Sequence, residues 1–147
     1  MAALAIAGVL LSGGLWMTSG APPQATAAPP AENLTIQQWL SGREALQIKL
    51  NNTLVEARQL AAPSARTTSI CQKLARVSQQ LLHGGRAPHP HLDTAANVGI
   101  MQFTQAAQAC LAGDFPQMRR QIDDGTTLRA EAQDTLDQLL HGEHNDH

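Results

Sequence analysis

Six histidines and two cysteines are the residues of this chain best suited to chemistry. The histidines fall in two groups, His83, His89 and His91, then His141, His144 and His147, with Asp93, Glu143 and Asp146 close by in sequence. Neutral imidazole together with carboxylate suits Zn²⁺, Cu²⁺ or Ni²⁺. The spacings are H-P-H and H-x-x-H-x-x-H, without the H-E-x-x-H pattern that sets two ligands and a base on one helix face. The same residues also fit a plain structural role, because histidine is ordinary in loops and tails and interacts favourably with a helix C-terminus. The cysteines, Cys71 and Cys110, lie too far apart for a C-x-x-C redox pair or a C-x-x-C-H haem attachment. In an oxidising compartment two such cysteines pair; the alternative is a pair of buried thiols.

Other chemistry is not signalled. The chain has no G-x-x-x-x-G-K-[ST], no G-x-G-x-x-G and no G-x-S-x-G, so neither a phosphate cradle nor a nucleophile elbow is indicated. A di-iron bundle needs paired E-x-x-H with further inward glutamates, and the few glutamates are not so arranged. Beyond residue 30 the aromatics are Trp39, Phe103 and Phe115, each on an apolar stripe, which leaves little surface for stacking bases. The net charge of −2 gives no overall drive toward nucleic acid, so no nucleic-acid partner is expected. Charge is uneven nonetheless: Ser64 to Arg86 carries Arg66, Lys73, Arg76 and Arg86 and no acid, while Asp114 to His147 is strongly acidic.

The elements that must position these residues are helices. Hydrophobic residues make up 43% of the 147 positions while aromatics are 3% and tyrosine is absent, so the core must be Leu, Ile, Val and Ala. Thr35 with Gln38 forms a capping-box pattern, and Ile36, Trp39, Leu40, Leu46, Leu50, Leu54, Ala57 and Leu60 recur at three- and four-residue steps up to the stop at Pro63. Gly42 marks a candidate kink in this first helix. The second helix, capped at Ser64 or at one of Thr67, Thr68 and Ser69, shows Ile70, Cys71, Leu74, Val77 and Leu81 before Gly84-Gly85. Pro90 suits the first turn of the third, with Leu92, Ala96, Ile100, Phe103, Ala107 and Cys110 on one face and Gly113 as its stop. Asp114 and Gln117 cap the fourth, whose stripe is Phe115, Met118, Ile122, Gly125, Leu128, Ala132, Leu136 and Leu139. The run Asp123 to Thr127 is its weakest stretch and a candidate break, and the tail from His141 onward is expected to fray. Four such helices with short connections pack most simply as an all-α, antiparallel up-down bundle.

That topology sets one cysteine on each of two neighbouring arms. Cys71 lies 13 residues before Gly84 (84 − 71) and Cys110 lies 17 after Asp93 (110 − 93), a mismatch of about one helical turn that unequal helix starts can absorb. Up-and-down order also gathers all six histidines at one pole.

Met1 to Met17 carries no charged side chain and is followed by Ala25-Thr26-Ala27, an A-x-A cleavage signal. Residues 1–27 are therefore expected to be a secretory signal peptide, or alternatively a retained membrane anchor; the basic n-region that a signal normally has is missing, the first Lys or Arg being Arg43. Residues 28–34 continue a Pro/Ala linker, residues 35–140 form the bundle, and residues 141–147 form a His-rich tail. Membrane association is expected only if the N-terminal segment is retained.

Trp39-Leu40, the segment Ile70-Cys71-Gln72-Lys73-Leu74-Ala75 and the segment Ala107 to Asp114 resemble small exported helical proteins of actinobacteria, which have an early Trp, a C-x-x-L and a later C-x-x-G-D. The likeness spans Thr35 to Leu140 and implies export, a disulfide and an all-helical fold; it carries over no functional residue. The expected function is a non-catalytic exported bundle that binds a protein partner in the cell envelope, needing no cofactor. The alternative is an extracytoplasmic metal-binding or metal-buffering protein that uses the histidine pole.

Overall fold

In a computed structural model of the chain, residues 35–145 are described, with side chains as far as residue 142. They form four helices: α1 (Ile36–Arg58), α2 (Ala65–His83), α3 (Pro90–Leu111) and α4 (Phe115–Asn145). Among the described residues there is no strand, and no helix is long and apolar enough to cross a membrane. The signal or anchor at 1–27 and the linker at 28–34 lie outside the described residues.

Local signals set the helix starts. Thr35 Oγ1 accepts the Gln38 N–H at 3.1 Å and Gln38 Oε1 accepts the Thr35 N–H at 3.0 Å, the reciprocal pair that the T-x-x-Q pattern predicts. Ser64 is the cap of α2, its Oγ accepting from the Thr67 N–H at 3.0 Å. Pro90 occupies the first position of α3, and Asp114 Oδ1 accepts from the Gln117 N–H at 3.1 Å to open α4. At the turn between α3 and α4 Gly113 has a φ of 77°, which costs a glycine nothing.

The structure corrects the expected ends and breaks. The first helix stops at Arg58, short of Pro63, and a turn carries the chain into Ser64. The fourth runs unbroken through Asp123–Thr127 and on to Asn145, so His141 and its neighbours are helical rather than frayed. The unbroken course of α4 has its cause in the contacts of that stretch. Asp123 is paired with Arg58 at 2.6 Å, and the Thr126 and Thr127 hydroxyls donate to carbonyls one turn back, so polar groups that compete for the backbone are already engaged. At Gly125 the Phe103 ring of α3 lies close against the backbone of α4.

A main core gathers buried residues from all four helices, with Leu50, Leu74, Phe103, Met118 and Ile122 fully buried. A second, smaller cluster brings together Ile36, Trp39, Ala87, Leu92 and Leu136. Cys71 and Cys110 are bonded inside the main core with Cα atoms 5.5 Å apart, stapling α2 to α3. Consecutive helices make the broad contacts, and α3 with α4 the broadest; α1 touches α4 much more sparsely. Side chains tie that last pair: Arg119 Nη1 donates to the Leu60 carbonyl at 3.0 Å, near Arg58–Asp123.

The α1 stripe differs from the expected one in two instructive places. Arg43 and Thr53 are buried on it, while Leu40 and Leu46 are half-buried. Thr53 satisfies its hydroxyl on the Lys49 carbonyl at 2.7 Å; Arg43 has no such simple solution. Gly42, by contrast, is exposed, α1 continues through it, and a methyl group added there meets nothing within 4 Å. The G42A variant is expected to be more stable by about 0.5–1 kcal/mol, because alanine loses less backbone entropy in a helix. A urea titration monitored by far-ultraviolet circular dichroism reads this, and a lower midpoint would contradict it.

Candidate functional site

The histidines that sequence reasoning singled out lie at helix ends, at the close of α2, the start of α3 and the end of α4. His83 is the last residue of α2 and is exposed. His89 is the N-cap of α3, and its ring centroid lies 5.5 Å from that of His91. His141 is exposed near the end of α4, its Nδ1–H donating to the Asp137 carbonyl at 2.7 Å. His144 belongs to α4 but its side chain lies outside the described residues, as does His147 altogether. Among the described residues no three His, Cys, Asp or Glu side chains come together as metal ligands.

What sequence reasoning missed is a cleft of about 260 Å³ lined from α1, α3 and α4. Its apolar walls are Leu40 and Trp39 on α1, Leu92, Ala96 and Ile100 on α3, and Ala132 and Leu136 on α4. Its polar lining consists of two guanidiniums, Arg43 and Arg129, and two amides, Gln47 and Gln133. No acidic residue contributes.

Each element sets its polar group by helical spacing. Trp39, Arg43 and Gln47 follow one another at four-residue steps on α1, so they share a face one turn apart. On α4, Gly125, Arg129 and Ala132 share a face at steps of four and three. Arg129 crosses to α1, donating from Nη1 to Asn51 Oδ1 and from Nη2 to Gln47 Oε1, both at 2.8 Å. Its guanidinium carbon sits 5.8 Å from the Phe103 ring centroid. Burial lowers the Arg129 pKa from its ordinary value, and no neighbouring carboxylate offsets this.

Arg43 is the more unusual group, only 5% exposed. Its guanidinium stacks over Trp39, 4.7 Å from the ring centroid, and Nη1 donates to the Leu81 carbonyl at 3.1 Å. Nε and Nη2 are buried and have no acceptor, and neither has the Trp39 indole Nε1. Burial lowers the Arg43 pKa, and the Asp93 carboxylate partly opposes that fall. Asp93 is nonetheless committed elsewhere, its Oδ1 accepting from the Ala87 N–H at 2.9 Å. Among the described residues neither Arg43 nor Arg129 has a carboxylate within ion-pair distance; the pairs formed are Arg58–Asp123 and Lys73–Glu56.

Chemically, such a site holds and orients. Arginine stays protonated in proteins, so these groups supply charge and hydrogen bonds rather than proton transfer. Comparison of the chain with protein-family models, with curated proteins and with solved structures returned no match.

Proposed function

We propose that this chain is an exported, non-catalytic helical bundle that works by binding another component of the cell envelope, with the cleft between α1, α3 and α4 as its binding site. The observation that carries this reading is a buried arginine whose donors are left unmatched beside an apolar cleft. Small-molecule sites usually combine mostly apolar walls with a few convergent polar groups, and this cleft has that composition. In this reading the helices alternate up and down. The start of α1 reaching the end of α2 through Arg43 and Leu81, and the end of α1 reaching the start of α4 through Arg58 and Asp123, support that order. The buried Cys71–Cys110 bond is compatible with an extracellular location.

The test is recovery of the chain from its native envelope followed by native mass spectrometry. The polypeptide is expected to begin at or near Ala28 and to carry a stoichiometric bound component. The A96F variant, which fills the cleft from its α3 wall, is expected to come through bare. A bare parent chain, or an A96F chain with the same bound mass, would overturn the cleft as the binding site. A chain that keeps residues 1–20 and resists a carbonate wash would overturn the cleaved signal in favour of the anchor.

A further inference from the structure

The Nε and Nη2 of an arginine are adjacent nitrogens whose N–H bonds run parallel, the edge that takes both oxygens of a carboxylate at once. In Arg43 that edge is the unanswered one: Nη1 is held by the Leu81 carbonyl, while Nε and Nη2 have no partner. A buried donor without an acceptor is costly, and a buried cation without a counter-charge more so. Both nitrogens have almost no surface open to solvent or to the cleft, so an acceptor in the cleft that Arg43 lines reaches them only when the guanidinium turns toward it.

Resting on the cleft as the binding site, we propose that its ligand is a carboxylate carrying one unbranched aliphatic chain of medium length, its two oxygens held by Nε and Nη2 of Arg43. Three features of the cleft agree on this class. The lining charge is positive, since Arg129 is bonded only to the neutral Gln47 and Asn51 and no acid lines the cleft. Asp93, the charged group facing Arg43 from α3, is held by the Ala87 N–H and does not occupy the fork. The remaining wall, Leu92, Ala96, Ile100, Ala132 and Leu136, is aliphatic and suits a hydrocarbon chain.

Size narrows the choice. A cavity of about 150 Å³ holds benzene, with its six carbons, so 260 Å³ corresponds to roughly ten non-hydrogen atoms. Octanoate has that number. A phosphate monoester fits less well, because it brings a third terminal oxygen and nearly a second charge against an apolar wall.

The experiment uses the full chain carrying W16F, which leaves Trp39 as its single indole. Sodium octanoate, sodium acetate and 1-octanol are titrated separately while the Trp39 Nε1–H resonance is followed by ¹H–¹⁵N NMR. Octanoate is expected to shift that resonance to saturation. Acetate, which lacks the chain, and 1-octanol, which lacks the charge, are expected to bind roughly tenfold or more weakly. R43M should erase the preference for octanoate over 1-octanol, and R43K, which keeps the charge and loses the parallel fork, should weaken octanoate at least tenfold. Binding of 1-octanol as tight as octanoate would overturn the carboxylate while leaving the cleft intact as a site. An unmoved Trp39 resonance, beside an A96F variant that still loses its native component, would overturn the ligand class alone. Full octanoate affinity in R43K would overturn the fork.

Discussion

Replacing both Cys71 and Cys110 with alanine is expected to lower the stability of the domain by about 4 kcal/mol. The two cysteines are 39 positions apart, and the chain-entropy relation assigns a closed loop of that length a stabilisation of that order. Both residues are buried in the main core, at 0% and 2% exposure, so the native state loses little else than two sulfur atoms. The loss falls mainly on the unfolded ensemble, which regains the freedom of the loop between α2 and α3. Two readouts follow from that location. The urea midpoint falls, and the dependence of stability on urea steepens, because an uncross-linked unfolded chain exposes more surface. The parent protein kept reduced in excess thiol reductant should come close to the double variant. A loss below about 1 kcal/mol would show that the hairpin is held closed without the bond.

The second large effect is expected at Gly125, where alanine should destabilise by about 1–2 kcal/mol although it favours the helix. A methyl group at this position would lie 2.6, 2.9 and 3.0 Å from Cε1, Cδ1 and Cζ of Phe103. Phe103 is fully buried in the main core, so its ring cannot swing aside without displacing neighbours. Overpacking of this kind costs about 1–3 kcal/mol and opposes a helix-propensity gain of about 1 kcal/mol. The clash wins because the obstacle is a rigid ring rather than the end of a flexible chain. F103L removes the obstacle, so G125A is expected to cost at least about 1 kcal/mol less in that background than alone. Additive losses in the double variant would sink the explanation. The identical substitution at Gly42 should move stability the other way, which isolates close approach as the deciding term.

These cases also show what the sequence makes legible. The helices, their caps at Thr35, Ser64 and Asp114 and the cysteine pairing are readable because each depends on residues close in sequence or on a stripe with helical period. The run Asp123 to Thr127 misleads for the opposite reason: its local preference is poor, and its helix is fixed by Arg58 and Phe103, residues distant in sequence. The cleft was hidden by an assumption about charge. Positions 36, 39, 43, 46, 50, 53 and 57 step by alternating threes and fours along α1, and Arg43 stands on that seam. Reading the stripe from apolar residues alone skips it, since arginine is taken as solvated by default. A cation on an inward register is the signal that would have found the site. The unmatched nitrogens themselves are a three-dimensional property, because they depend on which carbonyl of α2 Arg43 reaches.

The uneven attachment of α1 bears on how the domain yields under load. The hairpin of α2 and α3 is covalently closed, and α3 with α4 shares the broadest contact in the molecule, with Gly99 and Gly125 letting the two backbones approach. Against this stiff three-helix block, α1 lies along α2 and meets α4 through a few side-chain bridges. One wall of the cleft is thus the compliant member of the domain and the other two are the rigid ones. A molecule seated between them would act as a strut, stiffening the bundle along its softest direction. Its occupancy would register as resistance of α1 to peeling away, far more than as any rearrangement of the helices around it.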